Sequence, residues 1–338
     1  MLSLKHQTYP NIEVILSEGG SEDDSPAICD SWEKEWDAVS VIHDDNHGVS
    51  VSRNRALDRA EGEFVTFVDS DDWLAPEALM ILFEAIRSAD RAIRLNRNGL
   101  QDGTDDLPIA GCDAAGCGFS IRSEYRDPEP MMNLAGNDGK DAVKKGEILS
   151  GEEFLKKKLP YGDTRCWSKL YRRETIGDLR FKVGMTIGED MLFVLDFMKR
   201  AQNVVLIEDE LYCYFQNTMG AMKRRFRPSA MDQIYCWEAA RERLSEIGSF
   251  SKEEKMHIQS RIDTIIITSA LLTAGRIAEL GADERRQYEE EIEICRETIK
   301  RYSGAASVAG LSKGYQVKRT LFLQSASLYL KLYHAWKR

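Results

Sequence analysis

Three carboxylates stand within four residues at the end of an apolar run: Asp69, Asp71 and Asp72 follow Glu63-Phe64-Val65-Thr66-Phe67-Val68, with Ser70 between the first two. Alternate side chains of a β-strand leave on one side, which aims Asp69 and Asp71 the same way. Two hard oxygen donors so placed suit Mg2+ or Mn2+, which leave coordination positions open for phosphate oxygens. The carboxyl ends of strands are also where open α/β sheets take ligands. A plainer use exists, because Asp71 or Asp72 could cap a helix beginning near Pro76.

Two further segments carry chemistry. Gly48-Val49-Ser50-Val51-Ser52-Arg53-Asn54 puts glycine at a helix start and an arginine on the first turns. Such a start can hold a diphosphate through backbone N–H groups and a guanidinium fork, though an ordinary capped helix looks the same. Gly188-Glu189-Asp190 opens an apolar helical stripe. Its acids either compensate the helix dipole or include a general base. The seven cysteines are scattered without a CxxC pair, which suggests reduced thiols and neither a zinc site nor a disulfide framework.

These residues need a scaffold. Residues 1–94 alternate strand and helix patterns: strands at Asn11–Leu16, Ala38–Ile42 and Glu63–Val68, helices at Ser25–Trp36 and Ser50–Ala60. That alternation implies parallel pairing in a doubly wound α/β sheet. Residues 95–149 read as a loop-rich insertion with one strand, Gly116–Tyr125. Residues 150–228 open with a capping box, Ser150 and Glu153, and hold a strand at Asn203–Ile207. Residues 229–338 are helical, with apolar stripes at Ile234/Trp237/Leu244/Ile247, Ile258/Ile262/Ile265/Ile266/Leu272 and Tyr288/Ile292/Cys295/Ile299/Tyr302.

Of 338 residues 43% are hydrophobic, enough for a sizeable core, and the net charge of −10 argues against non-specific nucleic-acid binding. The longest apolar stretch, Ile265–Ala274, is too short to span a bilayer. Together with the polar N-terminus this gives a cytoplasmic expectation.

Taken in order, the motifs resemble those of bacterial family 2 glycosyltransferases with the GT-A fold. The matching segments are Glu18-Gly19-Gly20-Ser21, Gly48 to Asn54, Val68 to Asp72, Trp167-Ser168-Lys169-Leu170-Tyr171-Arg172-Arg173 and Glu189-Asp190, within roughly residues 5–225. The resemblance implies a GT-A-like doubly wound mixed sheet with a helical C-terminal region. It makes Asp69 and Asp71 the ligands of Mn2+ or Mg2+. Glu18, Gly20, Ser21, Gly48, Arg53, Asn54, Asp69, Ser70 and Asp71 become the nucleotide-sugar site. Asp190 matches the catalytic base, with Glu189 beside it, and Trp167 and Lys169 match a segment on the acceptor side. The implied reaction moves a sugar from a nucleoside diphosphate, UDP above all, to a glycan or lipid-linked acceptor with inversion, in cell-surface polysaccharide synthesis.

Two departures stand out. The family opens with a core strand, whereas Leu2–Pro10 resembles the helix end that follows it, so the strand near Ile12 would lack a neighbour. The family's Asp-Asp turn is here Glu18-Gly19. The alternative reading is therefore a non-catalytic relative that binds glycan or a partner; a nucleotidyltransferase would show a glycine-rich opening loop with a cation, and none is visible. From Lys313 to Arg338 there are six Lys or Arg and no acid, with Val317, Leu321, Leu328, Leu332 and Ala335 near one helical face. That suits either peripheral contact with an anionic membrane or a C-terminal helix packed on its own domain.

Overall fold

The computed structural model describes residues 1–98, 111–124, 146–216 and 225–337. By their contacts the described residues form two compact units, the first within 1–159, 164–183 and 193–220, the second within 160–163, 184–192 and 221–338. Most of the segment expected as an insertion, the end of its strand at Tyr125, and Arg338 lie outside the described residues.

The chain runs α1 (Leu2–Lys5), β1 (Val14–Glu18), α2 (Ser25–Glu35), β2 (Val39–His43), α3 (Val49–Arg59), β3 (Phe64–Thr66), β4 (Trp73–Leu74), α4 (Ala78–Asn98), β5 (Ala114–Arg122), β6 (Glu147–Leu149), α5 (Gly151–Lys157), β7 (Lys169–Arg172), α6 (Arg173–Ile176), α7 (Glu189–Arg200) and β8 (Val204–Phe215). α7 begins in the second unit and ends in the first. The capping box forms: Glu153 N–H donates to Ser150 Oγ, and the Glu153 carboxylate accepts from the Ser150 N–H.

β1 and β2 pair in parallel, as strand–helix–strand alternation requires. β3 does not join them. It pairs antiparallel with β7 at the end of a mixed sheet ordered β3-β7-β5-β8-β4, with β6 on β8. The expectation of parallel pairing for all three early strands is corrected here, because β3 finds its partner some hundred residues later in the chain. The strand of the 95–149 segment lies inside this sheet, parallel to β8 and antiparallel to β7.

β1 and β3 instead line a cavity of about 1100 Å³, shared with Leu4, Tyr9, Leu79 and Phe83. Its two walls are tied where the strands begin, since Glu13 Oε1 accepts from the N–H groups of Glu61 at 2.8 Å and Gly62 at 2.6 Å. The backbone of β2 at Val41 is closed by side chains: its N–H donates to Glu33 and its carbonyl accepts from Arg59. Such capping blocks edge-to-edge pairing.

α4 presents Ala78, Leu82, Ala85, Ile86 and Ala89 to Ala115, Val205, Leu211 and Tyr212 of the mixed sheet, the spacing of one helical face. A second cluster of rings, Phe67, Tyr171, Phe181, Phe193 and Phe197, packs edge-to-face and stacked beneath the end of β3. Buried aromatics of this kind stabilise by several kcal/mol each, on the order of 3–5 when truncated to Ala.

The second unit is helical: α8 (Asp232–Ser245), α9 (Lys252–Ala278), α10 (Ala282–Arg285), α11 (Glu289–Tyr302), α12 (Ala305–Ala309), α13 (Lys313–Gln324) and α14 (Ala326–Lys337). α9 is the hub; Ile258, Ile262, Ile266, Ala270, Ala274 and Ile277 are buried along it. Leu272, read as part of the stripe, is 38% exposed, because the buried row steps through Leu271 and Ala274. Hydrogen bonds from Thr264 to Ser307 and from Tyr329 to Leu271 tie α12 and α14 to this helix.

Candidate functional site

The acidic segment is a turn rather than a strand end. β3 stops at Thr66, and Asp72 N–H donates to the Asp69 carbonyl at 3.0 Å, closing residues 69–72. The period-two argument for Asp69 and Asp71 therefore does not apply at these positions. Each acid has its own environment. Asp69 Oδ1 accepts from the Arg53 guanidinium at 2.8 Å. Ser70 and Asp71 are exposed.

Asp72 faces inward: its Oδ2 accepts from the Tyr212 hydroxyl at 2.6 Å and its Oδ1 from the Phe215 N–H at 2.7 Å. Burial pushes its carboxyl up to about 6, with the charges of Asp69 and Asp71 adding to the shift. Neither Asp71 nor Asp72 caps α4. Gln7 does that, its amide accepting from Leu79 N–H and donating to the Ala75 carbonyl.

Arg53 projects from α3, its side chain 14% exposed, with Cζ 5.2 Å from the Phe181 ring. Asn54 beside it makes a two-point amide clamp, donating to the Phe181 carbonyl at 2.9 Å and accepting from its N–H at 2.7 Å. The clamp fixes the rotation of α3 and so the direction of Arg53. Gly48 has φ +86° at the N-cap, a left-handed value that favours glycine.

At the end of β1, Glu18 folds its carboxylate back onto its own turn, accepting from Gly20 N–H at 3.1 Å and Ser21 N–H at 2.7 Å. The Ser21 bonds hold the Glu18 carboxyl below its usual range. Gly20 has φ +72°, and a Cβ there would stand 3.0 Å from the Asp44 carbonyl oxygen, so glycine is required. His43, which motif reading passes over, closes this corner. Its ring reaches Asp30 at 2.7 Å and Glu18 at 3.6 Å, and those acids, Asp30 first, raise its pKa. Only its place at the end of β2 could have flagged it.

Trp167 and Lys169 are buried, at 6% and 2% exposure. Trp167 stacks on Tyr212 at 4.4 Å and on Tyr214 at 5.7 Å, and the Lys169 ammonium donates to the Arg165 carbonyl. Glu189 and Asp190 belong to the second unit, in the first turn of α7. Glu189 is 7% exposed, and Asp190 Oδ1 accepts from the Met191 N–H at 2.7 Å. Gly188 just before them has φ +88°, with Cys236 packed against it. Burial, then the Asp190 charge, pushes the Cys236 thiol up to about 12.

The first unit thus brings together Arg53, Asp69, Ser70 and Asp71. No group of three or more His, Cys, Asp or Glu side chains is arranged for a metal among the described residues. Two carboxylates nonetheless fit Mg2+ or Mn2+, which commonly take one or two protein carboxylates and complete their shell with phosphate and water.

Comparison with known proteins bears on this site. Residues 1–106 match the sequence profile described as Glycosyl transferase family 2. A provisionally named glycosyltransferase, EpsH of Bacillus subtilis (strain 168), is 44% identical over 271 residues, covering 78% of this chain and 68% of that protein. The uncharacterized glycosyltransferase EpsJ of the same strain is 28% identical over 237 residues, covering 68% of this chain and 60% of that protein. The chain therefore spans about three fifths to two thirds of the length of these relatives. The crystal structure of S. aureus TarS 1-349 in complex with UDP-GlcNAc shares the fold, with a TM-score of 0.60 at 16% identity over 99% of this chain and 86% of that one.

Proposed function

The chain belongs to glycosyl transferase family 2, and from that premise we propose that it moves a sugar from a nucleoside diphosphate to the hydroxyl of a glycan or lipid-linked acceptor, with inversion, in the synthesis of a cell-surface polysaccharide. The observation that carries this reading is the Arg53–Asp69 contact at 2.8 Å beside the exposed Asp71. A guanidinium and two carboxylates so grouped suit a cation–diphosphate pair, whose phosphates face Arg53 and whose cation faces the acids. Asp69 and Asp71 would hold Mn2+ or Mg2+, which when bound offsets the negative charge on the diphosphate. Arg53 orients the phosphates, and the free N–H groups at the start of α3 add a partial positive charge.

In this reading Asp190 accepts the proton of the acceptor hydroxyl as that oxygen bonds to the anomeric carbon and the bond to the diphosphate breaks. Glu189 supports it, and Trp167 and Lys169 serve the acceptor side. TarS holds UDP-GlcNAc in its crystal structure, so UDP-sugars head the donors to try. The test is a donor screen for nucleoside diphosphate release with Mn2+, repeated on Asp71→Ala and Asp190→Asn. Loss of a general base lowers rates about 10²–10⁴-fold. Release that survives both changes refutes the assignment.

The acceptor side has a second support. No helix among the described residues is long and apolar enough to cross a membrane. Yet α13 and α14 turn Phe322, Tyr329 and Leu330 inward and leave Val317, Leu328, Leu332 and Trp336 exposed, Trp336 to 70%. Lysines at 313, 318, 331 and 337 lie on the same two helices, and those at 318 and 337 stand over the Trp336 ring. This pattern fits a peripheral contact with anionic lipid near a lipid-linked acceptor.

A further inference from the structure

Arg165 packs against two rings and lacks the partner that a guanidinium ordinarily finds. Its Cζ lies 4.3 Å from the centroid of Phe119 and 4.9 Å from that of Trp167. Its Nε is buried with no hydrogen-bond partner, and no carboxylate pairs with it among the described residues. An orphaned charged donor in such a slot is costly unless something else completes it.

The loop that holds it is built rigidly. Lys169 Nζ donates to the Arg165 carbonyl at 3.0 Å, and Tyr171 Oη donates to the Cys166 carbonyl at 2.8 Å. Ser168 has φ +60°, the one positive value at a non-glycine residue among those described. Strain of this kind persists only where the surroundings over-determine it, and it clusters at functional sites. The rings also place the arginine. Trp167 stacks on Tyr212, whose hydroxyl bonds both Asp72 and the Asp69 N–H. The stack thus links the loop that holds the arginine to the acidic turn.

We propose that Arg165 binds a phosphoryl oxyanion through the Nη groups of its guanidinium, on the loop whose Trp167 stack reaches the acidic turn. The inference rests on the transferase reading only for the source of that anion, which is either the donor's diphosphate or a phosphate on the acceptor. Arg suits the task because its planar fork meets two phosphate oxygens at once while its faces stay on the rings.

Calorimetry on the full chain with Mn2+ tests this, using inorganic pyrophosphate alone and inorganic phosphate with the nucleotide site saturated by UDP. Arg165→Gln should weaken one of the two at least about tenfold, with Arg165→Lys in between. A loss confined to pyrophosphate assigns the donor, and a loss confined to phosphate assigns the acceptor. Equal affinities in wild type and Arg165→Gln for both anions, or no anion binding by wild type, overturn the inference. The transferase reading fails separately, through release that is indifferent to Asp71→Ala. Arg165→Lys keeps charge and ring contacts, so the comparison survives if the Gln variant is poorly folded.

Discussion

The Tyr212 hydroxyl donates to Asp72 Oδ2 at 2.6 Å while accepting from the Asp69 N–H at 3.2 Å, so one phenol fixes both ends of the acidic turn. Asp72 is therefore a structural member of the triplet, and its burial makes it a pH-dependent one. Its pKa rises from 3.8 to about 6 on folding. The folded state then binds more protons than the unfolded state between those values. Stability from this group is complete below about pH 4 and is lost as pH rises through about 6. With the half-exposed carboxyl discounted for solvent screening, the swing is roughly 1–2 kcal/mol. Urea melts in EDTA from pH 4 to 7 should show this fall, and Asp72→Asn should flatten it. An unchanged slope in the variant rules the explanation out.

Much of this architecture is legible in the chain, and the illegible part has a common cause. The Glu63–Val68 run, the Ser150 capping box and the rows along α9 declare themselves through composition and period within a dozen residues. The inward turn of Asp72 does not, because its partner Tyr212 lies 140 residues away. β5 reads weakly as a core strand since it begins Ala-Ala-Gly-Cys-Gly, small residues that let β7 and β8 approach on either side. His43 and Arg165 belong to no motif, and only tertiary neighbours give them meaning.

Arg53 should act on donor affinity more than on folding. It is held by the Asp69 contact and by Phe181, and the Asn54 clamp sets its helix independently. Arg53→Lys keeps the charge and loses the fork. The expected result is a donor KM raised about tenfold with kcat little changed, since bonds to charged groups contribute roughly 1.5–3 kcal/mol. A lowered kcat at unchanged KM would instead place Arg53 in transition-state stabilisation.

Gly188 should tolerate no side chain. A Cβ there would lie 2.5 Å from both Cβ and Sγ of Cys236, and φ +88° disfavours an L-residue. Gly188→Ala is expected to destabilise by about 2–4 kcal/mol, overpacking and backbone strain together. Cys236→Ala removes the sulfur and should recover part of that loss, a coupling that a double-mutant cycle in denaturant reads directly. Strict additivity of the two changes would show that they do not meet.

The basic helices invite the last measurement. Four lysines near an anionic surface contribute roughly 1 kcal/mol each, and two buried leucines about 1.5–3 kcal/mol each. The acids of the remainder work against this, and Glu279 already approaches Lys337 at 3.9 Å. The full chain should nevertheless sediment with phosphatidylglycerol vesicles at low salt and not with phosphatidylcholine. Leu328→Ser with Leu332→Ser, or Lys→Gln at 313, 318, 331 and 337, should each weaken that binding at least tenfold. Since Tyr329, which bonds α9, and the buried Leu330 are untouched, thermal melts should hardly move. Absence of binding at every salt concentration, or binding that ignores both sets of changes, removes the membrane from the account.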